Sequence, residues 1–123
     1  MDRKINREKL KKLAAIVISC EEEHVPVRGN ALVSGDAEED RRHEDMILEQ
    51  LEWNPWAWCS VKVTATLGSF QGSDYLGCCS YASEEDFKAS GGYYDDMVDA
   101  AIEELTKELE RAQKTLENVE DDS

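Results

Sequence analysis

The sequence predicts an α+β fold, a small antiparallel sheet packed by helices with a long helix towards the C-terminal end. Three patterns predict it. The stretch Trp56–Leu67, WAWCSVKVTATL, alternates strictly, placing Ala57, Cys59, Val61, Val63, Ala65 and Leu67 on one face and Trp56, Trp58, Ser60, Lys62, Thr64 and Thr66 on the other. A second strand over Tyr75–Tyr81 follows too soon for a parallel crossover, so it returns antiparallel. Finally, Val98, Ile102, Leu105, Leu109, Ala112, Leu116 and Val119 recur at alternating steps of 4 and 3, which is a heptad seam.

The remaining elements fill in around these. Leu10, Leu13, Ala14 and Val17 share one side of a helix over Asn6–Ser19 whose other side is basic, and whose end, AAIVIS, is apolar all round and therefore buried. Val25-Pro26-Val27 is extended and Arg28-Gly29-Asn30 turns, with Ala31–Val33 a short strand or a loop on the sheet. Asp36 with Glu39 has capping-box spacing and opens a helix running to about Trp53, where Asn54-Pro55 stops it. Gly68–Asp74 is a glycine loop. Ser83 caps one helical turn through Lys88, and Ser90-Gly91-Gly92 breaks it before the last helix.

At 123 residues the chain is expected to form one domain, 1–123, with 1–5 and 120–123 frayed. Its formal charge of -14 keeps a monomer soluble and repels nucleic acid and anionic membranes, so direct nucleic-acid binding is not expected and a basic protein partner is. No apolar run reaches the roughly 18–20 residues of a membrane span, and the N-terminus lacks an apolar core with a cleavage site. A cytoplasmic protein with reduced thiols follows as the expectation. The charge is uneven, since residues 1–12 carry a net +4 and the remainder -18. The basic arm either folds back onto the acidic body or is a separate contact surface, and the first is favoured because fields of that size attract within a Debye length of ~8–10 Å.

The residues offer little to a catalyst. Cys20, Cys59, Cys78 and Cys79 lack the paired spacing of a zinc site, and adjacent Cys78 and Cys79 point to opposite faces of a strand. Only His24 and His43 could act as bases, and neither sits in a local signature. There is no G-x-S-x-G, H-E-x-x-H or Walker loop, and Gly68, Gly72 and Gly77 are spaced like turn residues. No enzyme, cofactor or metal is expected.

Carboxylates are the richest feature. Asp96, Glu103, Glu110 and Glu117 recur every seven residues on the last helix, widened by Asp95, Asp99, Glu104 and Glu108. The second helix adds Glu38, Glu39, Asp40, Glu44, Asp45, Glu49 and Glu52. Such a surface is either a solvated face or a mimic of a nucleic-acid backbone. From Asp95 to Glu120 nine acids and three bases leave a net -6. Over ~39 Å of helix that is about one charge per 6.5 Å, against about one per 1.7 Å in duplex DNA. Electrostatic competition for a basic groove is within reach of that density, whereas a faithful duplex replica is not.

The expected partner-binding residues are therefore Glu39, Asp40, Glu44, Asp45, Glu49, Asp95, Asp96, Asp99, Glu103 and Glu110, with Trp56, Trp58, Tyr93 and Tyr94 as aromatic contacts. The two tryptophans are either covered by a helix or part of a contact surface. With Arg28, Asn30, Asp74 and the Gly91–Tyr94 loop they could equally line a small-ligand pocket, a nucleotide-like molecule being the alternative occupant. A third reading is an enzyme using Cys79 or Cys59. The seam Val98, Ile102, Leu105, Leu109, Ala112 and Leu116 packs either on the chain's own helices or on a second copy as a homodimer.

The run VPVRGNALVSGD, then LEWNPWAWCSVKVTATLGSFQGSDYLGCCSY, then SEEDFKASGGYYDDM resembles a group of small proteins encoded by tailed phages and prophages. The likeness spans roughly residues 25–105 and leaves the basic arm and the acidic tail outside it. It transfers no catalytic residue. What it implies is a setting in which small, acidic, cofactor-free proteins inhibit host defence machinery, anti-CRISPR and anti-restriction proteins among them. The expectation is then a non-catalytic inhibitor in the host cytoplasm, bound through its acidic helices to a basic, nucleic-acid-binding defence protein.

Overall fold

A computed structural model describes residues 4–120. Along the chain lie α1 (Arg7–Leu13), β1 (Ala15–Glu21), α2 (Ala37–Leu51), a 3-10 turn (Pro55–Ala57), β2 (Cys59–Leu67), β3 (Phe70–Cys79), α3 (Glu84–Ala89) and α4 (Tyr93–Val119). The strands form one antiparallel sheet in the order β1-β2-β3, so the fold is α+β with a long C-terminal helix. Among the described residues no helix is long and apolar enough to cross a membrane. The chain divides into two units, one of residues 4–17, 63–74 and 96–120 and the other of 18–62 and 75–95. Of the termini expected to fray, 1–3 and 121–123 lie outside the described residues.

Several boundaries differ from those the sequence suggested. The expected helix over Asn6–Ser19 ends at Leu13, where Ala14 turns extended, and AIVISCE continues as β1. Consecutive Ile16, Val17 and Ile18 are β-branched and stiff at χ1, so they pack better on a pleated strand than in a helix interior. The central strand starts at Cys59 and not at Trp56, because Asn54 accepts a hydrogen bond from the Trp56 N–H and holds Pro55–Ala57 in a 3-10 turn. The second helix stops at Leu51, two residues early, and the last begins at Tyr93.

The largest correction concerns Gly68–Asp74. Only Gly68 and Ser69 turn, and Phe70–Asp74 belong to β3. Thr64 faces Ser73 at 3.1 Å between their hydroxyls, and the Lys62 ammonium lies 5.3 Å from the Tyr75 ring centre. Both pairs fit one hairpin register, which sets Ala65 opposite Gly72. Gly72 is buried, and a Cβ there would collide with the Leu105 N and Ala101 O atoms of α4. The missing side chain lets the helix backbone lie directly on the strand.

In the first unit Leu10, Val63, Ala65, Val98, Ala101, Ile102 and Leu105 are buried. The Thr106 hydroxyl, also buried, is satisfied by donating to the Ile102 carbonyl at 2.8 Å. Val98, Ile102 and Leu105 are thus core residues, a correction to their reading as an oligomer seam. The seam continues as half-buried Leu109 and Ala112 and then exposed Leu116. The expected return of the basic arm is present within this unit: Arg7 donates to both Glu103 carboxylate oxygens at 2.6 and 3.1 Å, and Lys11 reaches Asp99 at 2.8 Å.

In the second unit Val27, Ile47 and Trp58 form a cluster completed by Ala31 and Leu51. Phe87, the one buried residue of α3, sits 5.9 Å from the Trp56 ring and edge-on to Tyr81 at 5.0 Å. The N-cap expectations hold here, but the reciprocal half of the Asp36–Glu39 capping box does not form, the Asp36 N–H donating to the Ser34 hydroxyl instead. The Asp36 side chain accepts from the Glu38 and Glu39 N–H groups, and Ser83 accepts from Asp86.

Candidate partner-binding surfaces

The candidate contact residues separate once their partners are counted. On α2, Glu44 is buried, a correction to its reading as a contact residue. Its carboxylate accepts from the Gly29 N–H at 2.9 Å and the Arg28 guanidinium at 3.1 Å. The same guanidinium takes Asp45 at 2.5 Å, so one arginine clamps the 28–30 turn onto two acids a residue apart. Asp40 accepts from the Ser34 hydroxyl and N–H, closing the loop ahead of the helix. What α2 leaves exposed, with no ion pair among the described residues, is Glu38, Glu39 and Glu49, with Glu52 just beyond.

The clamp has a pH signature. The Gly29 N–H, and after it Arg28, hold the Glu44 carboxyl below its ordinary value of 4.5. A depressed folded pKa contributes stability that is full above 4.5 and lost as pH falls through the folded value. Thermal melts of the wild type and Glu44→Gln are therefore expected to differ most at neutral pH and to converge on acidification below 4.5. A gap that stays constant across that range would remove the clamp.

Among the expected aromatic contacts, Trp58 is corrected too. Trp58 is 6% exposed, its indole N–H donating to the Val25 carbonyl at 2.8 Å, because the 25–27 segment and Ile47 cover it. Trp56 is half-buried beside Phe87. Tyr94 is half-buried with the Lys88 ammonium 5.3 Å from its ring centre, and Tyr93 is exposed. Among the expected ligand-pocket residues, Arg28 is taken by its clamp and Asn30 donates to the Pro26 and Arg28 carbonyls of its own turn.

On α4, Asp99 and Glu103 are committed to Lys11 and Arg7, and the Arg7 hydrogen bonds hold the Glu103 carboxyl below its usual range. Glu104 and Glu108 pair with Lys107 and Arg111 one turn on. Asp95, Asp96, Glu110 and Glu117 remain exposed and in no ion pair among the described residues, although Glu110 is within the attraction of Arg7. The sequence therefore placed the acids on these helices correctly, but of those expected as contacts only Glu39, Glu49, Asp95, Asp96 and Glu110 are left for a partner, joined by Glu38, Glu52 and Glu117.

The thiols are poorly suited to attack. Cys59 is buried on β2, and that burial pushes its thiol up to about 12. Burial also raises Cys20 and Cys79. Such thiols stay protonated near neutral pH, opposite to what a nucleophile needs. Cys78 adopts a left-handed φ of 54°, which breaks the strand's alternation and turns Cys79 inward while Cys78 faces solvent. Glu23 anchors this break by accepting from the Val25 N–H at 3.1 Å and the Cys78 N–H at 2.6 Å. No group of three or more His, Cys, Asp or Glu among the described residues could hold a metal ion.

One aromatic outside the expected contact set stands out. Trp53, at the end of α2, is 73% exposed. Its signal in the sequence was its position, seven residues after Met46 and therefore on the same helical face, which is the face away from Ile47. Comparison with protein-family models, curated proteins and solved structures finds no match.

Proposed function

We propose that the protein is a phage-encoded, non-catalytic inhibitor, of anti-CRISPR or anti-restriction type, that binds a basic nucleic-acid-binding defence protein of its host. The observation that carries this reading is the set of exposed carboxylates on α2 and α4 with no ion pair among the described residues, on a chain of net charge -14. Each surface offers a basic groove a row of anions without first having to break an internal pair. The resemblance read from the sequence over residues 25–105, to small phage and prophage proteins, is what suggests the biological setting.

The test is competition at varied ionic strength. The protein should be captured by a basic host effector and compete with that effector's nucleic acid. Capture should weaken steeply from about 0.01 to 1 M salt, as the screening length falls from about 30 to 3 Å. Neutralising Asp95, Asp96, Glu110 and Glu117 together to Asn or Gln is expected to cost about 0.5 kcal/mol per charge. Roughly 2 kcal/mol in total corresponds to about a thirtyfold loss of affinity. Binding that is indifferent to both salt and neutralisation would overturn the reading.

A further inference from the structure

Trp53 is the largest apolar side chain that the second unit leaves in water, and it is held there by a fixed backbone. Its N–H and that of Asn54 both bond the Gln50 carbonyl, at 3.1 and 2.8 Å, so the helical turn is carried past Leu51. Asn54 is itself buried. Its amide donates to the Tyr81 and Ala82 carbonyls at 3.2 Å each, and its side-chain oxygen accepts from the Trp56 N–H at 3.1 Å. The rigid Pro55 follows. A scattered exposed apolar residue is ordinary on a protein surface. An indole displayed from a backbone locked on both sides loses little further freedom when it is bound.

The charges around it select the occupant. Glu49 lies four residues before Trp53 and three after Met46, which places it on the same face, and Glu52 adjoins Trp53 in sequence. Both glutamates are exposed and without an ion pair among the described residues. The cation on this face, Arg42, is eleven residues from Trp53, about 16 Å along the helix. A second copy of the chain would set like-charged faces of two molecules, each of net charge -14, against one another. An ammonium would satisfy the carboxylates and be attracted to the ring face, as Lys62 and Lys88 are to Tyr75 and Tyr94, but only as a point charge that cannot stack on the indole plane. A guanidinium stacks its plane on the ring while its N–H fork meets a carboxylate.

We propose that Trp53, with Glu49, is a docking point for an arginine side chain of the partner. This rests on the reading of the partner as a basic protein and adds the residue that anchors it. Oligo-arginine and oligo-lysine peptides of equal length are the probes, titrated at low ionic strength with indole fluorescence and calorimetry as readouts. The wild type should bind oligo-arginine about fivefold more tightly than oligo-lysine, with a change in emission. Trp53→Leu should bind the two peptides equally and lose the emission change, and Glu49→Gln should narrow the preference. Because Trp53 is exposed, far-UV circular dichroism of the variant should match the wild type. Equal binding of both peptides by the wild type, or an arginine preference that survives Trp53→Leu, overturns the docking point while leaving the acidic-surface reading intact. Binding of neither peptide overturns both.

Discussion

Gly72→Ala is expected to destabilise the protein by about 3 kcal/mol, at the upper end of what overpacking ordinarily costs. In most strands replacing glycine by alanine helps, because the unfolded chain loses freedom. Here the added carbon would meet the Leu105 N and Ala101 O atoms, and backbone of a helix cannot rotate away as a side-chain tip can. The strand and α4 must separate, exposing Leu105, Ala101 and Ala65, which are all fully buried. At this chain length the change should lower the melting temperature by about 10 °C. Unchanged or raised stability would mean that the helix does not rest on this strand.

Phe87→Ala is the second large effect, expected to cost about 3–5 kcal/mol. Phe87 is 0% exposed and α3 buries nothing else. A six-residue helix has no stability of its own, so the ring is what keeps α3 in place against Trp56 and Tyr81. Near-UV circular dichroism should lose its aromatic signal, and proteolysis should appear at the Ser90–Gly92 break, where Gly91 and Gly92 both take positive φ. Phe87→Leu, which keeps most of the volume, should cost under half as much. Equal losses for the two variants would show that filling space, and not the ring contacts, is irrelevant to the site.

The fold class was legible because its signals are local and redundant. Alternation in β2, the Asp36 and Ser83 caps and the heptad steps of α4 each follow from nearest neighbours in the sequence. The failures share a cause. Ala14–Ser19 satisfies both a helical and a β-strand pattern, and only the sheet partner decides between them. Gly72 reads as a loop residue until α4 is seen above it. The contact residues were half legible for the same reason. Carboxylates can be counted from the sequence, but that Arg28 consumes Glu44 and Asp45, or that Arg7 and Lys11 consume Glu103 and Asp99, depends on pairings between residues far apart in the chain. Trp58, expected as a contact, is covered by the 25–27 segment, and Trp53, which had no assigned role, is the one left in water, on similar grounds.

The pairing of α1 with α4 also grades the potential along the long helix. Arg7 and Lys11 quench the anions near its middle and Arg7 also attracts Glu110, whereas Glu117 and Glu120 have no ion pair among the described residues and the final turn has no cation. That end already carries the partial negative charge of the aligned carbonyls, so dipole and side chains add there. A cation arriving at that end would therefore meet side-chain and carbonyl charges of the same sign, and would relieve part of their mutual repulsion.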